Sequence, residues 1–375
     1  MKVLQLGKFF PIRGGVEKVM YDLLIGLSQR SITCDMLCAS SEILSTNNQI
    51  TPNKFSEIFV EPSINEIAKT KISPALISKL RKICSNYDII HLHHPDPMSA
   101  LALFLSGYRG KVILHWHSDI LAQKVLLRFY KPLQTWILKR ADLILTTSPN
   151  YLEQSKYLTK YKKKSDILPI GISDISKDYN VGKSEHIKQQ YKDKKIIFSL
   201  GRLVTYKGFE YLINAAEYLP EDYVILIGGE GPLKQHLQDI INQKQLNSKV
   251  CLLGYLDDVD VFSYYKACDL YCLSSIEKTE AFAIVQIEAM SFSKPIVATE
   301  IFGSGVSWVN KNGYSGINVP PKNSQKLSLA IIEILQNKDR YDKYCNNARQ
   351  RYLEFFNIKS MIDNVLVLYN SIFDK

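Results

Sequence analysis

No apolar run in this 375-residue chain approaches the length of a membrane-spanning helix; Ala100 to Leu105 is among the longest. The opening Met-Lys-Val-Leu-Gln-Leu-Gly is too short an apolar segment for a secretory signal and reads as a first β-strand, so the expected location is the cytoplasm. Cysteine is sparse and unordered: there are seven, an odd number, scattered along the chain. Cys34/Cys38 and Cys268/Cys272 fall in apolar, strand-like segments and read as small core residues, not as a disulfide framework or a metal site. Acidic residues are missing from Ile120 to Ala141, where Lys124, Arg128, Lys131, Lys139 and Arg140 interleave with large apolar residues. No nucleic-acid recognition motif accompanies the net charge of +10. The excess of positive charge therefore points first to a phosphorylated substrate or an anionic membrane surface, and nucleic acid is not expected as a partner.

What is present has a clear rhythm. The length exceeds one small core, so two domains are expected. Short apolar runs at Val3–Leu6, Thr33–Cys38, Ile89–Leu92, Val112–His115 and Leu143–Thr147 alternate with helical patterns such as Glu17–Gln29 and Ser73–Ser85. A second series follows at Ile196–Leu200, Tyr223–Ile227, Val250–Leu253, Leu270–Leu273 and Pro295–Ala298, with helices near Phe209–Tyr218, Leu233–Asn242, Asp260–Ala267 and Phe282–Phe292. Alternation of this kind gives α/β architecture with parallel sheets. Two doubly wound, Rossmann-like domains are expected, 1–178 and 179–375, joined through the polar stretch Ser173–Asp193, with sheets facing a cleft. The last helix, about 359–373, could cross back to the first domain. Pro132 should divide the basic stretch 120–141 into two helices. That stretch, with Lys160 and Lys162–Lys164, could rest on an anionic membrane, or could simply be core-facing helices with solvated lysines.

Candidate site residues fall at strand ends. Glu280 and Glu288 have seven residues between them. With a helix starting near Phe282, Glu280 lies in the loop ahead and Glu288 nearly two turns in, a separation of roughly 9–12 Å along the axis. A carboxylate at each end can accept hydrogen bonds from sugar hydroxyls, and the helix N-terminus between them suits an anion. Gly14-Gly15-Val16-Glu17 opens a helix after the first strand. Gly201-Arg202 through Lys207-Gly208 follows the first strand of the second domain and sets two cations beside a helix start, an arrangement suited to pyrophosphate. Gly228-Gly229-Glu230-Gly231-Pro232 forms a third strand-to-helix turn.

Two patterns suggest metal and are read otherwise. His91, His93 and His94 end one strand, and His115 and His117 the next. The reading here is that alternation sends these side chains to opposite faces, that no metal is bound, and that one of His115 and His117 helps bind or polarise a sugar. Asp258-Val259-Asp260 has a metal-site spacing but is expected to cap a helix.

With these residues in place, the chain resembles the large retaining glycosyltransferase family 4, which has the GT-B fold. Gly14-Gly15-Val16-Glu17-Lys18-Val19, Trp116-His117-Ser118-Asp119-Ile120, Gly201-Arg202 through Lys207-Gly208, and Glu280 to Glu288 followed by Pro295-Ile296-Val297-Ala298-Thr299 carry the resemblance, which extends over nearly the whole chain. It implies a metal-independent hexosyltransferase without cofactor. Arg202 and Lys207 would hold the pyrophosphate of a UDP- or GDP-linked donor, assisted by Gly14, Gly15, Gly229 and the loop Phe282-Ala283-Ile284. Glu288 would bind the ribose and Glu280 the transferred sugar, with His117 beside the reacting carbon; the catalytic residues are His117 and Glu280. The acceptor would be a saccharide, in the first place one on a polyprenyl-diphosphate lipid of O-antigen or other surface-polysaccharide assembly. A soluble acceptor and a nucleotide-sugar epimerase are the alternatives. Ala283 stands where the family has glycine and Ser307 where an acidic residue is common; both bear on the identity of the donor. Removing Arg202 or Lys207 is expected to leave folding intact.

Overall fold

The computed structural model describes residues 1–12, 14–43, 46–67, 70–120 and 124–374, apart from the side chains of 124–126. It forms two compact units, Met1–Gly171 with Ile358–Lys375, and Ile172–Asn357.

The first unit has strands β1 (Lys2–Phe10), β2 (Thr33–Ile43), β3 (Asn48–Asn53), β4 (Ser56–Ser63), β5 (Asn65–Ile67), β6 (Thr70–Ile72), β7 (Ile89–His94), β8 (Lys111–Trp116), β9 (Leu143–Thr146) and β10 (Ser165–Ile167). Its helices are α1 (Gly15–Gln29), α2 (Pro74–Ile83), α3 (Pro97–Ser106), α4 (Lys124–Arg140) and α5 (Pro149–Gln154). The main sheet runs β10-β9-β8-β7-β1-β2-β4-β3, parallel except for β3 against β4. Its central strands are buried on both faces, which is why they read as apolar runs. Three helices start alike. Ser73, Asp96 and Ser148 accept backbone N–H bonds at the N-cap, and Pro74, Pro97 and Pro149 follow, where a missing N–H costs nothing.

The second unit has strands β11 (Lys195–Leu200), β12 (Tyr223–Gly228), β13 (Val250–Gly254), β14 (Leu270–Leu273), β15 (Ile296–Thr299) and β16 (Gly316–Val319). Helices α6 (Val181–Gln190), α7 (Phe209–Ala215), α8 (Lys234–Gln243), α9 (Asp258–Ala267), α10 (Ile284–Ser291), α11 (Val306–Val309), α12 (Ser324–Gln336) and α13 (Lys338–Arg351) pack on it. All its strand pairs are parallel, in the order β13-β12-β11-β14-β15-β16. Reversal of direction between β11 and β14 puts the switch point of this sheet at the ends of those two strands, where an α/β sheet binds its ligand. The final helix, α14 (Ile358–Ser371), belongs to the first unit.

Three expectations need correction. The division falls at Gly171/Ile172 and again at Asn357/Ile358, not at 178/179. The polar stretch Ser173–Asp193 is not a bare joint, because it contains α6, whose N-cap Asn180 donates its backbone N–H to Ser263 Oγ on α9. Pro132 does not divide its segment: α4 is one helix through it. Pro132 is exposed, so the carbonyl deprived of its usual donor can face solvent. Residues 121–123 of the basic stretch lie outside the described residues.

Candidate active site

In the second unit, β11 ends at Leu200 and the chain passes through Gly201-Arg202 into the tight turn Thr205–Lys207. Gly208 closes that turn at φ +64°, and a Cβ there would lie 2.3 Å from the Ser274 carbonyl oxygen. Only glycine lets this loop lie against the end of β14. The close approach turns Lys207 inward. Its Nζ lies 2.6 Å from Glu280 Oε2, with both side chains about 10% exposed. Ser275 Oγ donates to the same carboxylate oxygen at 2.8 Å, and Ser304 Oγ donates to the Glu280 carbonyl. Arg202, by contrast, is exposed.

A second close approach adds the β12 loop. Gly229 has φ +130°, and a Cβ on it would sit 2.0 Å from the Gly201 carbonyl oxygen. Its own N–H donates to the Gly254 carbonyl at 2.7 Å. What Gly229 contributes here is lack of bulk, while its amide is already engaged.

Glu280 precedes α10 and Glu288 sits on it, as the spacing predicts. Ala283 caps the helix at φ +65°, a left-handed conformation in which a Cβ is strained. The glycine common at this place in the family is what the backbone would prefer. The Phe282 ring packs with those of Trp308 and Phe356, at centroid distances of 6.4 and 6.0 Å, and so anchors the loop. Tyr265 OH donates to Glu288 Oε2 at 2.9 Å. Burial pushes the Glu288 carboxyl up to about 7, more than the Tyr265 hydrogen bond pulls it down. Asp258 and Asp260 occupy the first turn of α9, but the cap is Asp257, whose carboxylate accepts from the Asp260 N–H at 2.8 Å. Asp260 itself pairs with Lys183 at 2.5 Å.

In the first unit the histidines do not diverge as expected. Residues i and i+2 of a strand share a face, so His91 and His93 of β7 point the same way, and His115 of β8 pairs in register with His93. His117 continues that face. Its ring stacks on His115 at 3.9 Å, and His91 and His93 stack at 4.7 Å. Only His94 turns to the opposite side, stacked on Trp116 at 3.6 Å. All five are buried. Burial drives His91, His93, His94 and His117 well below the usual imidazole range and His115 to about 3, so the cluster is neutral near pH 7. One nitrogen each of His91, His93 and His115 lies within 4.8 Å of the others, close enough to hold a metal ion. Both ring nitrogens of His93 are already hydrogen-bonded, however, to His117 Nε2 at 2.9 Å and Gln5 Oε1 at 2.8 Å. At the start of α1, Gly14 is packed by Glu17: a Cβ on Gly14 would lie 2.6 Å from the Glu17 carboxylate, which burial biases toward its neutral form. Gly15 is the first residue of that helix.

Sequence reasoning missed Ser275, Tyr265, Gln5 and Tyr369. Ser275 and Tyr265 hold the two glutamates. Gln5 and Tyr369 are bonded across 364 positions, a separation over which no local pattern carries a signal.

Comparison with known proteins fits this geometry. The model of Glycosyltransferase Family 4 matches residues 13–174, and that of Glycosyl transferases group 1 matches residues 182–351. O-antigen chain mannosyltransferase C of Escherichia coli is 31% identical over 380 residues, spanning 100% of this chain and 99% of that protein. The chain belongs to the group 1 glycosyltransferases. D-rhamnosyltransferase WbpZ of Pseudomonas aeruginosa is 28% identical to this glycosyltransferase over 344 residues, 92% of this chain and 88% of that one. The crystal structure of Anabaena HepE, solved with UDP and glucose, superposes with a TM-score of 0.75 at 19% identity, covering 99% and 100% of the two chains. The glycosyltransferase therefore has the GT-B fold; the second family segment falls within the second unit, and the first lies in the first unit except for residues 172–174.

Proposed function

We propose that this glycosyltransferase moves a hexose-type sugar, with retention of configuration, from a UDP- or GDP-linked donor to a saccharide on a polyprenyl-diphosphate lipid in O-antigen or other surface-polysaccharide assembly. The observation that carries the reading is the buried Lys207–Glu280 pair at the switch point of the second sheet. Lys207 has three N–H donors. One is spent on Glu280, and two remain for a donor pyrophosphate alongside exposed Arg202. Glu280 Oε2 is taken by Lys207 and Ser275, which leaves Oε1 to accept from a hydroxyl of the transferred sugar. Glu288 binds the ribose, His117 a sugar hydroxyl, and Gly15 and the loop Phe282-Ala283-Ile284 border the phosphates. The cations and the start of α10 stabilise the leaving diphosphate, so the chemistry needs no metal. The similarity of the mannosyltransferase and rhamnosyltransferase over most of their length supports a surface-polysaccharide acceptor, and UDP bound to HepE supports a nucleotide donor.

The basic face supports a lipid-linked acceptor. Phe129 is 78% exposed between exposed Arg128 and Lys131. Arg140 is excluded from that role because its guanidinium donates to Gly110 O at 2.6 Å and to Asp142 at 3.2 Å. Lys164 is likewise engaged, donating to the Ala141 carbonyl at 2.6 Å. Among the described residues no helix is long and apolar enough to cross a membrane.

Steady-state kinetics test the roles. Arg202→Ala should lower kcat/KM for the donor by roughly 30- to 1000-fold. Glu288→Gln should raise the donor KM and spare kcat, while Glu280→Gln and His117→Ala should lower kcat. EDTA should leave turnover unchanged, and the product should keep the donor's anomeric configuration by NMR. A Glu280→Gln enzyme with unchanged kcat, or an inverted product, would refute the assignment.

A further inference from the structure

The first unit holds a hydrogen-bonded chain that starts at His117, passes through Tyr369 of the last helix and ends at His91. His117 Nε2 lies 2.9 Å from His93 Nδ1, and His93 Nε2 lies 2.8 Å from Gln5 Oε1. Gln5 Nε2 donates to Tyr369 OH at 3.2 Å and to Cys34 Sγ at 3.6 Å. Tyr369 OH lies 2.6 Å from His91 Nδ1. Gln5, His91, His93 and Tyr369 are all fully buried, and His117 is 4% exposed.

The direction of every bond follows from the amide. With its NH2 group spent on Tyr369 and Cys34, Gln5 presents oxygen to His93, and an amide oxygen only accepts. His93 therefore carries its proton on Nε2. A neutral imidazole has one proton, so His93 Nδ1 is a bare lone pair and the facing nitrogen, His117 Nε2, must donate. His117 is then left with an unprotonated Nδ1, and that atom has no hydrogen-bond partner among the described residues. Tyr369, having accepted from Gln5, donates to His91. All four bonds run the same way.

We propose that Tyr369, Gln5 and His93 act as positioning residues that lock His117 in the tautomer whose Nδ1 accepts a hydrogen bond from a hydroxyl of the donor sugar. This rests on the reading that His117 touches that sugar. The opposite tautomer would meet the same hydroxyl with an N–H. The last helix thereby contributes to the site through Tyr369.

The test uses the full chain labelled with 15N-histidine. Long-range 1H–15N spectra should show both His93 and His117 protonated at Nε2. Gln5→Leu should mix the tautomers at both residues, leave the His94 signals on the opposite face unchanged, and lower kcat roughly tenfold, the scale of one neutral hydrogen bond, with donor KM unchanged. Should Gln5→Leu fail to fold, Tyr369→Phe keeps the ring and should shift the same signals and kcat in the same direction. A proton on His117 Nδ1 in the wild type would overturn the proposal, as would a folded Gln5→Leu variant with wild-type tautomers and kcat. So would one equivalent of metal held by His91, His93 and His115, because an ion would take a nitrogen of His93. Normal kcat in His117→Ala, with the tautomers as expected, would overturn the sugar contact alone and so separates the two failures.

Discussion

The two units use the same architecture, strand ends of a buried parallel sheet, and furnish it with opposite electrostatics. The first unit lines the ends of β7 and β8 with imidazoles stripped of charge by burial. The second buries a complete ion pair, Lys207–Glu280, and on α10 a carboxyl, Glu288, that burial pushes up to about 7. Five of the seven histidines belong to the first pattern. The contrast suits a division of labour. Neutral rings offer direction without field, which is what a hydrogen bond to an uncharged hydroxyl needs. In the proposed reaction, paired charges would provide field for a diphosphate that gains charge as it leaves. It also means that the two units should answer differently to pH and to substitution.

Acid should break the symmetry most. The histidines have folded-state pKa values below their unfolded value near 6.5, so between those values the unfolded chain binds more protons and stability falls as pH drops. Each imidazole that stays neutral contributes up to about 1.4 kcal/mol per pH unit below pH 6.5. Glu288 works the other way. Its folded value of about 7 lies above the ordinary carboxyl value, so its contribution is fully present at low pH and is lost as pH rises through 7. Hydrogen exchange from pH 7.5 to 5 should show β7 and β8 losing protection while α10 holds or gains it. Equal protection of β7 and β8 across that range would contradict neutral buried imidazoles.

Substitution at the ion pair comes next. Contrary to the expectation from sequence, Lys207→Met should not be silent in folding, because it strands a buried carboxylate. The cost should be about 3–5 kcal/mol, with much of it recovered in the double variant Lys207→Met/Glu280→Gln. Arg202→Ala, at an exposed position, should change stability by under about 0.5 kcal/mol. Urea denaturation of the four proteins measures this, and a stable Lys207→Met single variant would show that the pair is not energetically coupled.

The smallest effect concerns Ala283. Ala283→Gly removes the strain of a left-handed Cβ, about 1–2 kcal/mol, and loses part of that gain to the greater freedom of glycine in the unfolded chain. A modest rise in Tm is expected. A fall would mean that the Ala283 methyl packs usefully in the loop.

The alternation of buried strands and helices, and with it the fold, could be read directly because parallel strands covered on both faces must be continuously apolar. The ten strands expected were found. Of those overlooked, β3, β5, β6, β10 and β16 are short or partly exposed, and β4, though eight residues long and mostly buried, has an apolar run only at Ile58-Phe59-Val60. Glu280, Glu288, Arg202 and Lys207 could be singled out because loop and helix spacing is local. That Lys207 and Glu280 pair, and that Ser275 and Tyr265 hold the two glutamates, could not be read. That Lys207 turns inward depends on Gly208 meeting Ser274 at 2.3 Å for any added Cβ, and no spacing rule encodes that distance.

The histidines mark the same boundary from the other side. Their period of two was visible in the chain and was still misread, since the decisive question was which neighbours would cover the shared face. By itself the sequence determined two α/β units and the residue types at their strand ends, because periodicity and turn chemistry act over a few residues. Only the tertiary structure decided which of those groups are charged, which are neutral, and which proton each carries. Burial and a partner 364 positions away, as between Gln5 and Tyr369, set protonation, and both exist only once the chain has closed on itself.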